Sequence, residues 1–173
     1  MKCSTRQLTL CAVLTALALA LSYLENFLPL NLLIPLPGIK LGLANIVTVF
    51  ALYALGPAQA FAILLCRCFL GALFAGNASA LIFSLLGGVC AMAVMSILCR
   101  SRLLSVFGVS MGGAAAHNCG QVAAAVLTLG NSAPLYYLPV LLAAALASGA
   151  LNGFIASLLF RAVAHTDLLA EQE

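Results

Sequence analysis

The sequence predicts an all-α protein: a bundle of six transmembrane helices in a single membrane domain over residues 1–173. Of these residues 65% are hydrophobic and only 6% are charged, and the mean hydropathy is +1.20, whereas soluble domains carry about 25% charged residues. One span needs roughly 20 apolar residues, so six spans use about 120 and leave no room for a soluble catalytic domain. The predicted spans are about 7–24, 41–55, 57–75, 80–99, 106–129 and 136–160.

The basic residues predict how the bundle is oriented. With both termini in the cytoplasm, all but one of the basic residues outside the spans fall on the cytoplasmic side, which is the positive-inside pattern. The cytoplasmic ones are Lys2, Arg6, Arg100, Arg102 and Arg161, and the exception is Lys40. There is no basic patch, so we expect the lipid bilayer and not nucleic acid as a partner. The N-terminus also resembles a signal peptide, but its apolar run is long for one, and we expect a retained span.

The first span carries alanines at four-residue spacing, Ala12, Ala16 and Ala20. Such a ridge of small residues lets another helix approach closely. It is either a packing surface inside the bundle or a docking surface for a separate membrane subunit. The apolar segment Asn26–Lys40 follows on the outer side and contains three prolines. It predicts either a lid over the bundle or a segment that lies at the membrane interface.

Lys40 lies just before the second span. There the free backbone N–H groups and the positive end of the helix dipole add to its charge. This combination suits an anionic group such as a carboxylate or phosphate. The alternative is an ordinary helix start with an interfacial lysine.

Arg67 is the most informative residue, because it lies midway through the apolar run of the third span. A charge at bilayer depth is costly, so such residues usually face a bundle interior and mark a site for an ion, a ligand or a partner. We therefore interpret Arg67 as part of a site for a small solute, and the positive charges of Lys40 and Arg67 favour one that is anionic or forms strong hydrogen bonds.

Polar residues also follow one face of the fifth span, where His117 and Gln121 are four residues apart and Asn118 is adjacent. Lipid offers them no hydrogen bonds, so their partners are either other helices or a solute. The candidate substrate-binding residues are Lys40, Asn45, Thr48, Arg67, His117, Asn118, Gln121 and Asn152. In the sixth span, Gly149 and Gly153 form a GxxxG motif, which we expect to pack helices within the chain.

Three segments resemble the membrane family called heptaprenyl diphosphate synthase component I, also named the Gx transporter family. They are Pro37–Thr48, Arg67–Asn77 and Ala116–Gln121. That family is similar to the S components of energy-coupling-factor (ECF) transporters, six-helix proteins that bind a vitamin or related solute from outside. A transmembrane coupling subunit and two ATPases drive them. The resemblance implies a multi-pass protein of a bacterial cytoplasmic membrane, whose alanine ridge contacts the coupling subunit and whose Asn26–Lys40 segment is a gate.

The family name includes a synthase, but the sequence lacks synthase chemistry. Prenyl diphosphate synthases bind Mg²⁺–diphosphate through paired aspartate-rich motifs, because this hard cation needs several carboxylate oxygens. Here the single aspartate is Asp167, and no Walker A loop occurs. His165 and Asp167 lie too far along the chain to join His117 in a metal site. We therefore predict no enzyme activity, no catalytic residue, no metal and no cofactor.

The leading hypothesis is a solute-binding or transport protein of the S-component type, energised by partner subunits. The alternative is a non-catalytic membrane subunit of a heptaprenyl diphosphate synthase, which holds a soluble prenyl synthase near its lipid product. A third interpretation is a structural protein whose polar groups only bond its helices together.

Overall fold

The computed structural model describes residues 5–25, 42–76, 78–101 and 103–164, and within them the chain is all α-helical, as predicted. A short 3-10 helix, Ala133–Tyr137, precedes the last α-helix. In this part of the chain the six α-helices are α1 Thr5–Glu25, α2 Ala44–Ala54, α3 Pro57–Ala75, α4 Ala78–Leu98, α5 Val106–Leu129 and α6 Leu138–Ala164.

The bounds of α3 and α5 agree with the predicted spans, because local signals in the sequence set them. Pro57 occupies the first turn of α3, where its missing N–H is not needed. The hydroxyl of Ser105 accepts a hydrogen bond from the Gly108 N–H at the start of α5. Both helices end at a glycine in the left-handed conformation, Gly76 with φ 60° and Gly130 with φ 65°.

Helix α2 is shorter than the predicted span 41–55, since it begins at Ala44 and ends at Ala54. Eleven residues rise only about 16 Å, about half the thickness of the hydrocarbon core. The residues that precede Gly42, from Asn26 onward, lie outside the described part. Helix α2 contacts all five other α-helices, and its residues from Ala44 to Val49 are all buried. It is therefore the central element of the bundle.

Within the described residues, four helical segments are long and apolar enough to cross a membrane: α1, α3, α4 and the segment Ala133–Val163. This makes the chain a multi-pass membrane protein by helix length and composition. The prediction of six spans is not confirmed, because α2 is short and α5 is not among the four. The polar stripe of α5 that includes His117 and Gln121 lowers its hydropathy.

Glycines allow α4, α5 and α6 to pack closely. A Cβ atom at Gly120 would lie 2.6 Å from the Leu86 carbonyl oxygen on α4. On α6, a Cβ atom at Gly149 would lie 2.7 Å from the Met111 Cα of α5. A Cβ atom at Gly153 would lie 2.9 Å from the Phe107 Cα, also of α5. The GxxxG motif therefore packs helices within the chain, which confirms the prediction.

Many of the most deeply buried apolar residues lie toward one end of the bundle. The core includes Ile63, Leu64, Met95, Val109 and Ala156, all nearly fully buried. These residues come from the end of the bundle where α2 and α4 finish and where α3 and α5 begin. The opposite end, where α1 and α3 finish, is left open for a cavity.

Candidate functional site

A cavity of about 520 Å³ lies at the end of the bundle where α1 finishes and α2 begins. Helices α1 to α5 contribute to its walls, and much of the lining is apolar, as at Leu19, Ala72 and Phe74. Pockets for small molecules typically have this size and an apolar lining with a few polar groups. The polar side chains that line it include Glu25, Asn45, Arg67, Ser84, His117 and Gln121.

Arg67 lies in α3 on the wall of this cavity and is only 9% exposed. Its Nε and Nη2 atoms are buried and have no hydrogen-bond partner within the described part of the chain. Leaving a buried donor unsatisfied costs roughly 1–3 kcal/mol and more for a charged group. The fold therefore keeps a guanidinium in an unfavourable state, which is the behaviour expected of a binding group.

Glu25 lines the cavity, although its position in the sequence alone did not make it a candidate. It is the last residue of α1 and is 6% exposed, and its Oε1 accepts a hydrogen bond of 2.6 Å from the Gly42 N–H. Its charge is close enough to Arg67 to act on it electrostatically. Glu25 is the only acidic residue between positions 1 and 166. A single carboxylate at the end of an apolar run is the sequence feature that could have identified it as a candidate.

His117 and Gln121 reach the cavity from α5 because α4 has no side chain at Gly87. A Cβ atom at Gly87 would lie 2.9 Å from the His117 Cε1 and 3.0 Å from the Gln121 Cγ. The small face of α4 thus makes room for an imidazole and an amide beside the cavity. Ser110 and Thr128 are also polar residues of α5, but they do not line the cavity. Ser110 is buried near α6, and the Thr128 hydroxyl donates a hydrogen bond of 2.9 Å to the Ala124 carbonyl.

The start of α2 is held at the cavity by contacts with Gly42. The Gly42 N–H donates a hydrogen bond to the Glu25 carboxylate. The Asn152 Nδ2 on α6 donates a hydrogen bond of 3.1 Å to the Gly42 carbonyl oxygen. Gly42 has φ 71°, and a Cβ atom there would lie 2.8 Å from the Asn45 Nδ2, so a side chain would be strained for two reasons. We call Glu25, Gly42 and Asn152 the Gly42 clasp; it places Asn45 on the cavity wall.

The structure brings four of the predicted binding residues together, namely Asn45, Arg67, His117 and Gln121. Three further candidates, Thr48, Asn118 and Asn152, form hydrogen bonds within the bundle, and their part in binding stays a prediction. Asn118 Nδ2 donates to the Leu141 carbonyl at 2.8 Å, Thr48 Oγ1 donates to the Ala44 carbonyl at 3.4 Å, and Asn152 belongs to the Gly42 clasp. Lys40 and the segment Asn26–Lys40 lie outside the described residues.

The predicted docking ridge is on the surface of the bundle. Ala12, Ala16 and Ala20 are all exposed, and among the described helices α1 packs against α2 and α3. Ala18, which falls between them, is fully buried with Ala44 and Val47 of α2. The ridge therefore does not pack α1 against the described part of the bundle, and its role in docking a partner stays a prediction.

The cavity offers hydrogen-bonding and charged groups but no evident metal ligand set. Among the described residues, no three His, Cys, Asp or Glu side chains lie close enough together to hold a metal ion. The guanidinium, two amides, an imidazole, a hydroxyl and a carboxylate suit recognition of a polar group by charge and hydrogen bonds. The fold and the site thus define a multi-pass membrane protein with an internal cavity that carries a few polar side chains.

The chain belongs to the heptaprenyl diphosphate synthase component I family, because the model of that family matches residues 14–159. This confirms the family resemblance read from the sequence. No curated protein and no solved structure matches the chain. The likeness to ECF S components therefore stays a prediction.

Proposed function

We propose that this protein is a non-catalytic membrane subunit that binds a small anionic molecule in the cavity, at Arg67. The observation that carries the proposal is a guanidinium, 9% exposed, with two buried nitrogens that lack partners. An oxyanion accepts charge-assisted hydrogen bonds from such a group and offsets the cost of its burial. Asn45, His117 and Gln121 supply further hydrogen bonds.

The family match favours a role as component I of a heptaprenyl diphosphate synthase over a role in transport. In this role the protein works with a soluble synthase subunit, which supplies the catalytic groups. The component I subunit would keep that enzyme at the membrane, where a long apolar product belongs. The cavity would then bind an anionic head group or a small regulator of the partner.

A solute-binding role of the S-component type is the second candidate. Two observations favour it: the cavity lies at a single end of the bundle, and the ridge Ala12, Ala16 and Ala20 is exposed on α1. With both termini in the cytoplasm, the end of α1 that borders the cavity faces outward, so a solute would enter from outside a bacterial cytoplasmic membrane. A coupling subunit would then dock on α1, and its ATPases would supply the energy.

Photo-crosslinking in native membranes separates the two roles. A photoreactive amino acid replaces Ala16 on the ridge or, as a matched control, Val89, which is also exposed but lies on α4. A crosslink from position 16 to a membrane subunit that co-purifies with ATPases supports transport. Co-purification of a soluble aspartate-rich synthase, retained at high salt, supports the component I role.

The binding proposal itself is tested by extracting small molecules from the purified protein and from Arg67→Met. We expect an anionic compound in the wild-type extract that the variant lacks. Equal amounts of every anionic compound in the two extracts would contradict the proposal.

A further inference from the structure

The two buried nitrogens of Arg67 that lack partners within the described part of the chain are Nε and Nη2. They form one edge of the guanidinium, on which the Nε–H bond and one Nη2–H bond point in the same direction. Such a pair of donors matches two oxygens that share one carbon or phosphorus atom, as in a carboxylate or a phosphate group. A rotation about the torsions of the arginine brings this edge to the cavity that its side chain borders. The Nε–Nη2 edge therefore indicates the shape of the anion as well as its charge.

Arg67 lies deep in the cavity. It is eight residues before the last residue of α3, which corresponds to about 12 Å along the helix. The thiol of Cys68, the next residue, donates a hydrogen bond of 3.5 Å to the Ser84 carbonyl of α4, which puts Ser84 at the same level. One turn along α4 from Ser84, Gly87 lies against His117 of α5. Arg67, Ser84 and His117 all line the cavity, and we call them its deep level.

Between the deep level and the end of α3, the wall formed by α1 and α3 is largely apolar. Gly71 lies one turn beyond Arg67 on the same face of α3. A Cβ atom at Gly71 would lie 3.7 Å from the Leu19 side chain of α1, so the absence of a side chain leaves space there. Ala72 and Phe74 continue this wall toward the end of α3. An apolar group suits this part of the cavity.

The other polar groups of the cavity lie further from the deep level. Gln121 is one turn beyond His117 on α5, Asn45 is in the first turn of α2, and Glu25 is the last residue of α1. They can bond to polar atoms on the body of a ligand. Arg67 is the only arginine or lysine among the described residues that line the cavity, so an anionic group is held best at the deep level.

Resting on the proposed function, we infer that the ligand carries a carboxylate or phosphate group on a largely apolar body and enters with this group first. Two of its oxygens then bind the Nε–Nη2 edge of Arg67 at the deep level. Its body lies along the wall of α1 and α3, past Gly71. The cavity volume of about 520 Å³ suits a small organic molecule.

Nuclear magnetic resonance of the arginine Nε–H groups tests the inference on the unaltered protein. The full-length chain is washed free of co-purified small molecules and placed in lipid nanodiscs. Benzoate and phenyl phosphate are the probes, because they carry the two candidate groups on the same apolar ring. We expect at least one of them to shift the Arg67 Nε–H resonance downfield, as a hydrogen bond to an oxyanion does. Arg67→Met identifies this resonance by its loss, and exposed Arg161 in the last turn of α6 is the control that should not respond.

Titration calorimetry with the responding probe tests the pair of donors and the direction of entry. Arg67→Lys keeps the charge but not the paired donors, so we expect it to bind the probe at least tenfold more weakly than the wild type. Gly71→Leu should weaken binding by a similar factor, because its side chain fills the path to the deep level. Gly71→Ala is the matched control and should bind the probe about as tightly as the wild type. Helix content and Tm report whether each variant is folded.

The outcomes separate the inference from the proposed function. If Arg67→Lys binds the probe as tightly as the wild type while Arg67→Met does not bind it, Arg67 acts by charge alone and the inference is wrong. Unchanged binding in folded Gly71→Leu would contradict entry with the anionic group first. If neither probe binds the wild type although its extract contains an anion that depends on Arg67, the inferred ligand class is wrong. If the probe binds Arg67→Met as tightly as the wild type, the proposed anion site at Arg67 is itself wrong.

Discussion

Replacing Arg67 with methionine should stabilise the ligand-free protein while it abolishes ligand binding. Two unsatisfied guanidinium nitrogens cost about 2–6 kcal/mol together, and insertion scales give about 2.5–3.5 kcal/mol for the same burial of an arginine at the centre of a membrane helix. Methionine has a similar length and removes this cost. The attraction to Glu25 is also lost and offsets part of the gain. The expected net gain is about 2 kcal/mol, at the lower end of these two ranges.

Thermal unfolding of the purified protein measures this gain. On the scaling for domains of this length, about 2 kcal/mol raises Tm by roughly 4–8 °C. Gln59→Met is the matched control, because it removes a polar group from the same helix at a residue that does not line the cavity. A fall in Tm for Arg67→Met alone would refute the reasoning, since it would show that the guanidinium holds the helices together.

Further predictions concern packing, polar bonding and orientation. Gly120→Ala should destabilise the protein by about 1–3 kcal/mol in thermal unfolding, because its Cβ atom would lie 2.6 Å from a carbonyl oxygen. Gly71→Ala should be tolerated, because its Cβ atom would lie 3.7 Å from the Leu19 side chain. Asn118→Leu should lower stability by about 1–3 kcal/mol, because the hydrogen bond to the Leu141 carbonyl is lost. The variant should still bind the ligand. If a folded Asn118→Leu variant lost the ligand, Asn118 would belong to the site. In a background without the native cysteines, a membrane-impermeant maleimide should label Asn131→Cys on intact cells and Leu103→Cys only after permeabilisation; the reverse pattern would invert the orientation.

The helix ends were predictable where the sequence marks them. The pair Gly56-Pro57 and the glycines after α3 and α5 fix those bounds through backbone conformation alone. The start of α2 was not predictable in this way, because Gly42 is held by side chains that are 17 and 110 residues distant in sequence. Periodicity carries no information about such contacts.

The candidate site was predictable only in part. Arg67 was identified because a charge inside an apolar run needs an explanation, and the four-residue spacing of His117 and Gln121 placed them on one face. Asn118 and Asn152 have the same residue type as Asn45, and only the structure shows that they bond to backbone carbonyls. Glu25 was missed because its position at the end of a span is also typical of an ordinary interfacial residue.

Native mass spectrometry of the protein released from lipid nanodiscs tests the central claim most directly. Wild type and Arg67→Met are measured side by side after identical purification. The account predicts that the wild type carries one bound small molecule, which tandem fragmentation identifies as an anion, and that Arg67→Met is free of it. Wild-type protein without any bound molecule, or both proteins with the same one, would contradict the claim.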